Sequence, residues 1–186
     1  INIVLNILAV FSYLGIYAAY QGSSRQPLAL LILVLAVLGV GVFLATNRAF
    51  AFYGLSQMYA RTGGGAERQI IEASAQSLLA EGESHSASTF LAFFLAESAG
   101  MLVSLLMLPG DVFPRTAGIF GTIGFGVLLV FEFLSSFGGG LDDTLMLLAG
   151  IGGILSMIWY LLIARTMLRK AGSSEEMMNR DMESRL

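Results

Sequence analysis

Cysteine is absent from the chain of 186 residues, and histidine occurs once. Without cysteine there is no disulfide, no thiolate nucleophile and no Cys-based zinc or iron–sulfur site. Charge is scarce as well: Asp, Glu, Lys and Arg make up 12% of the residues, where a soluble domain carries about 25%. The net charge of −3 is small and lies mostly in two polar segments, so neither nucleic acid nor an acidic partner is suggested. There is no HExxH, no Walker A loop, no GxSxG and no second histidine for a triad. Enzymatic activity is not expected, nor is a cofactor or a bound metal.

What the chain does have is hydrocarbon. Hydrophobic residues reach 56% and the mean hydropathy is +0.78, which is the composition of an integral membrane protein. The apolar residues fall in five runs: 1–20, 28–46, 87–108, 116–137 and 144–164. Each is close to the roughly 20 residues that a helix needs to cross a hydrocarbon core of about 30 Å. Backbone groups in lipid must be satisfied within the segment, and these runs lack the alternation of barrel strands. The expected fold class is therefore an all-α integral membrane protein, a bundle of five transmembrane helices. GSSRQP (Gly22 to Pro27), LPGDVFPR (Leu108 to Arg115) and GGGLDD (Gly138 to Asp143) are short turn-forming breaks that make antiparallel hairpins.

Basic residues near span ends set the orientation. Arg165, Arg169 and Lys170 follow the last run directly, whereas GGGLDD before it holds acids and no bases. The C-terminus, with its tail 171–186, is expected in the cytoplasm, together with the loops holding Arg25 and Arg115. The segment 47–85 then lies outside. Arg48, Arg61 and Arg68 oppose that placement, although Glu67, Glu72, Glu81 and Glu83 balance them. The chain begins at Ile1, already apolar and with no initiator Met, so an upstream span is expected, giving six with both ends inside; a cleaved signal peptide is the rival explanation.

In the outer segment, AERQIIEASAQSLLAEG (Ala66 to Gly82) puts Ile70, Ile71, Ala75, Leu78 and Leu79 on one helical stripe. This is an amphipathic helix that lies on the bilayer or caps the bundle, or else serves as a lid over a ligand. TGGG breaks the chain before it, and Phe50, Phe52, Tyr53, Met58 and Tyr59 suit an interfacial aromatic belt. In the tail, Ser173 and Glu176 have capping-box spacing, followed by Met178, Met182 and Leu186 at i, i+4. A short cytoplasmic helix that docks a partner, or a solvated, frayed end, fits that pattern.

The polar residues inside the spans are the candidate site. SASTFLAFFLAESAGMLVSLLML (Ser86 to Leu108) reads as one span with Glu97 in its middle. A charge at that depth costs about 2.5–3.5 kcal/mol on the insertion scale for Asp, Lys and Arg, which several Leu and Phe offset. Glu97 must be protonated, paired or wetted, and must face the bundle. It is either a hydrogen-bonded packing residue or a proton or cation relay. Gly100, Met101 and Ser104 share its face and let another helix approach. Glu132 lies nearer the outer end of its span, where it reaches interfacial water. Asn6 is a third candidate, able to donate to a carboxylate. No Lys or Arg lies deep in any span to neutralise either acid. His85, at the outer mouth of the third span, is an interfacial residue and a weak metal or pigment signal. GIFGTIGFG (Gly118 to Gly126) and AGIGG with Ser156 are small-residue patterns of close helix crossing, so the fourth and fifth spans should form a tight hairpin.

The stretch LATNRAFAFYGLSQMYARTGGGAERQIIEASAQSLLAEG, followed by a span and then VFPRTAGIFG, resembles a bacterial multi-span membrane family of unknown function, the domain-of-unknown-function family numbered four-three-eight-six. Asn47, Phe50, Leu55, Ser56, Tyr59, Glu67, Leu78, Leu79, Phe113, Pro114 and Arg115 carry the resemblance, which covers nearly the whole chain. It implies a bacterial cytoplasmic (inner) membrane location and supplies no activity. Gly63 to Gly65 and the acids around His85 depart from the family's pattern and inherit no role. The expected function is a non-enzymatic accessory or scaffold subunit, whose partners are the lipid bilayer and a membrane protein or further copies of itself. The alternative is a small transporter or ion- or proton-conducting protein using Glu97 with Glu132 and Asn6. A membrane enzyme has only Glu81, Glu83, His85 and Ser86 to draw on.

Overall fold

A computed structural model describes residues 2–82, 87–138 and 143–183; for helical residues 2, 81–82 and 173–183 only the backbone is described. Every element among them is a helix: α1 (Asn2–Ala19), α2 (Gln26–Thr46), α3 (Ala49–Arg61), α4 (Ala66–Gly82), α5 (Ala87–Met107), α6 (Arg115–Phe137) and α7 (Asp143–Glu183). Four helical stretches are long and apolar enough to cross a membrane: 26–61, in which α2 runs on into α3, then α5, α6, and residues 143–172 of α7. The first expected span, α1, is apolar but has 18 residues, a rise of about 27 Å, just under the hydrocarbon thickness.

The bundle helices stand in the spatial order α1, α2, α5, α6, α7, each packed on the next. The row curls back on itself, because Trp159 and Met167 of α7 reach Tyr13 and Gly15 of α1. The interior holds Ile16, Ile32, Val103, Met107, Trp159 and Ile163. The outward faces leave Phe11, Leu31, Leu38, Leu147 and Leu161 bare, an apolar surface of the kind that lipid covers.

Glycine sets the helix separation. At Gly39 an added Cβ would lie 2.9 Å from the Ala96 backbone of α5, at Gly118 2.9 Å from the Leu108 backbone, and at Gly124 2.9 Å from the Ser156 backbone of α7. Small residues therefore let α5, α6 and α7 touch backbone to backbone. The tight α6–α7 contact expected from the sequence is present, but only part of each glycine motif makes it. Gly124 and Gly152 face one another's helices, whereas Gly126, Gly150 and Gly153 point into open space.

One end of the bundle is tied by its loops. Gly22 and Gly110, with φ of +75° and +83°, make the two turns, a conformation that a Cβ disfavours. Between them Arg25 Nη1 binds Asp111 Oδ2 at 2.6 Å, a partly exposed pair contributing about 0–1 kcal/mol. Tyr20 donates its hydroxyl proton to the Leu106 carbonyl at 3.2 Å. The Tyr20 ring packs on buried Phe113, and Lys170 lies 5.4 Å from the same ring. Arg25, Arg115 and Lys170 thus share an end.

The structure departs from the sequence reading in two places. The segment 47–61 is a helix of its own, α3, because Asn47 is extended (ψ 118°) and its side chain accepts the Ala49 N–H at 3.0 Å, ending one helix and starting the next. The tail is not a separate capped helix: α7 runs without a break from the last span to Glu183. A Gly-Ser-Ser stretch with no proline costs a helix only about 1 kcal/mol at the glycine, so the helix propagates through it. The side chains of Met178, Met182 and Leu186 lie outside the described residues.

Substituting Gly124→Ala should destabilise the protein by about 1–3 kcal/mol, because the new methyl meets backbone. Gly126→Ala, facing open space, should not. Unfolding titrations of both variants in mild detergent check this, and equal effects would contradict the packing.

Candidate functional site

Glu97 and Glu132 come together inside the bundle. α5 and α6 run antiparallel from the 108–114 turn, and three contacts fix their register. Gly118 and Gly121 pack at Ser104, the Phe125 ring fills the space over Gly100, and Phe133 packs on Phe90 and Phe94. Glu97 therefore lies between the Gly100–Phe125 layer and the Phe94–Phe133 layer. Glu132, next to Phe133, lies about one turn further along. Glu97 is 8% exposed and Glu132 4%, and their charges act on each other.

The surroundings are apolar and aromatic. Toward the loop-tied end, Phe125 meets the buried Trp159 edge-on at 5.1 Å, and Trp159 in turn packs on Tyr13. Toward the other end, Phe90, Phe94, Phe133 and Phe137 form one cluster with ring centroids 5.1–6.2 Å apart. Glu97 Oε2 is buried and has no hydrogen-bond partner among the described residues. Ser136 Oγ is buried with no hydrogen-bond partner among the described residues, while Ser135 donates to the Glu132 carbonyl at 3.2 Å and Ser104 to the Gly100 carbonyl at 2.6 Å. The latter two satisfy backbone and are not spent on the acids.

The expectation that Glu132 reaches interfacial water does not hold. Its span is packed against α5 and α7 at that depth, and Phe133 and Phe137 of the same helix turn join the aromatic cluster, so the carboxyl is enclosed. Asn6 lines a different space, a cavity of about 570 Å³ between α1 and α7 walled by Leu5, Ala9, Ser12, Met157 and Tyr160. Neither acid lines that cavity. His85, Glu83 and Ser86 lie outside the described residues, as does the side chain of Glu81. Among the described residues no group of three His, Asp or Glu side chains is placed to hold a metal ion.

Sequence reasoning passed over the aromatic layers. Their signal was present as Phe90 with Phe94 and Phe133 with Phe137, both i, i+4 pairs that stack on one helix face. Trp159, the one tryptophan, was equally legible as a residue that would be buried for its area.

No family model matches the chain, and no curated protein or solved structure matches it either. The candidate site rests on its own geometry.

Two like charges this close must couple. Glu97→Gln and Glu132→Gln should change stability non-additively, by about 0.5–3 kcal/mol, the second substitution relieving less than the first. A double-mutant cycle on the folded protein measures this. Strict additivity would mean that the two carboxyls do not sense each other.

Proposed function

We propose that the chain is a non-enzymatic, multi-pass protein of the bacterial cytoplasmic membrane whose Glu97–Glu132 pair binds a proton or a small monovalent cation. In this reading α1 completes a set of five spans, the α3–α4 segment lies outside and the C-terminus is cytoplasmic. The shared end of Arg25, Arg115 and Lys170 supports that orientation through the bias of basic residues toward the cytoplasm.

The observation that carries the reading is the meeting of two carboxyls in an apolar interior, one with an orphaned oxygen. A buried anion left uncompensated costs several kcal/mol, and a second anion beside it raises the cost. A bound positive charge removes both penalties. Intramembrane acids on a bundle interior are the usual elements of proton and cation paths. The aromatic layers above and below keep water from short-circuiting such a path, so transfer to and from the pair is gated by movement of these rings.

A second reading, an accessory or scaffold subunit, is favoured by a different observation. α3 and α4 pack chiefly on each other and leave the hairpin's apolar sides uncovered, a surface suited to contact beyond the chain.

Reconstituted into vesicles, the protein should carry protons, sodium or potassium down a gradient, read with a pH-sensitive dye or a cation indicator. Glu97→Gln should abolish the flux while the helical content and unfolding midpoint stay as in the parent. Flux unchanged by that substitution would sink the relay. A native mass showing a fixed-stoichiometry complex, together with absence of flux, would favour the subunit reading.

A further inference from the structure

The α3–α4 hairpin forms a groove whose walls and location point to a ligand. α3 leaves the end of the apolar α2 after only two residues, Asn47 and Arg48. The hairpin therefore starts at the level where the lipid-facing surface of α2 ends. A pair of short helices packed chiefly on each other cannot bury its apolar residues, since a core this small leaves most of its area bare. Phe50 stays 78% exposed, Tyr53 64% and Ile70 67%.

Between the helices lies a cavity of about 350 Å³, within the size range of small-molecule sites. Its walls are Phe52, Leu55, Ile71, Ala75 and Leu79. Its far end is polar. Tyr59 donates its hydroxyl proton to Glu72 Oε1 at 2.8 Å, and the Arg68 guanidinium sits 4.1 Å from the Tyr59 ring centroid and 4.0 Å from Glu72. An apolar trough that opens beside the membrane-crossing surface and ends in a hydrogen-bonding, charged cap matches an amphipathic chain. The apolar length takes hydrocarbon, and the Tyr59–Arg68–Glu72 cluster meets a polar headgroup.

We propose that this groove holds the acyl chain of a phospholipid from the adjoining leaflet, which fixes the hairpin against the membrane surface. The exposed aromatics beside it act as the interfacial anchors. The occupant is lipid and not a second copy of the chain, because the hairpin adjoins the end of α2, whose exposed Val34, Val37 and Leu38 make a face suited to hydrocarbon.

The full chain is placed in vesicles of phosphatidylcholine and phosphatidylglycerol carrying a photoactivatable diazirine on the acyl chain, and labelled residues are mapped by mass spectrometry. Label is expected on Phe52, Leu55, Ile71 and Leu79 as well as on lipid-facing Val34 and Leu38 of α2. Gln76→Trp, on the exposed rim of the groove, should remove the groove label and leave the α2 label. Ala75→Trp repeats the test from the floor, with helical content checked by circular dichroism. Label on α2 but not in the groove, label that survives both fillings, or groove residues cross-linked to a second copy would each overturn the proposal. Absence of label on α2 would overturn the membrane reading itself, so the two failures are distinguishable.

Discussion

Backbone-to-backbone approach among α2, α5, α6 and α7 is the constraint on which the rest depends. Wherever Gly39, Gly118 and Gly124 sit, a side chain would have to occupy space already held by another helix's main chain. Between helices in lipid there is no water to expel, so van der Waals contact of this kind is what holds them together. It also leaves little room around Glu97, and that lack of room gives the residue its character. With wider helix spacing the carboxyl would be wetted and unremarkable.

The consequence is an electrostatic problem centred on Glu97, whose Oε2 is buried and has no hydrogen-bond partner among the described residues. α5 is the central helix, packed on α2 at one side and α6 at the other, so an acid on its inner face cannot snorkel to an interface. Glu132 on α6 adds a second negative group at nearly the same depth, and aromatic layers close the space along the helix axis in both directions. Stability and chemistry are coupled here. In the proposed reading, the same packing that holds the bundle favours a positive charge bound at the pair, and binding or release there must disturb the rings that enclose it.

Four of the five expected spans were legible because lipid imposes a simple rule on length and composition: α2, α5 and α6 match their runs to within a few residues, whereas α7 continues well past its run and α1 is shorter. Glu97 was legible for the same reason, an acid in the middle of such a run. Its meeting with Glu132 was not, because partner choice across a helical hairpin depends on rotation and register. These are set by which glycine faces which helix, and sequence spacing alone does not distinguish Gly124, in contact, from Gly126, in the open. α3 was hidden because Phe50, Phe52, Tyr53, Met58 and Tyr59 read as an interfacial aromatic belt rather than as one face of a helix, and its start is marked only by the Asn47 side chain accepting the Ala49 N–H. The unbroken α7 was hidden by local turn chemistry at Gly172 to Ser174 that helix propagation overrides.

The most direct test of the central claim is infrared spectroscopy of the full chain in lipid vesicles, following the carbonyl stretch of neutral carboxyl groups while pH and sodium or potassium concentration are varied. The account predicts a buried-carboxyl band that responds to proton or cation concentration and disappears when Glu97→Gln and Glu132→Gln are combined. A spectrum indifferent to pH and to both cations, with the fold intact, would contradict it and leave the two acids as packing residues.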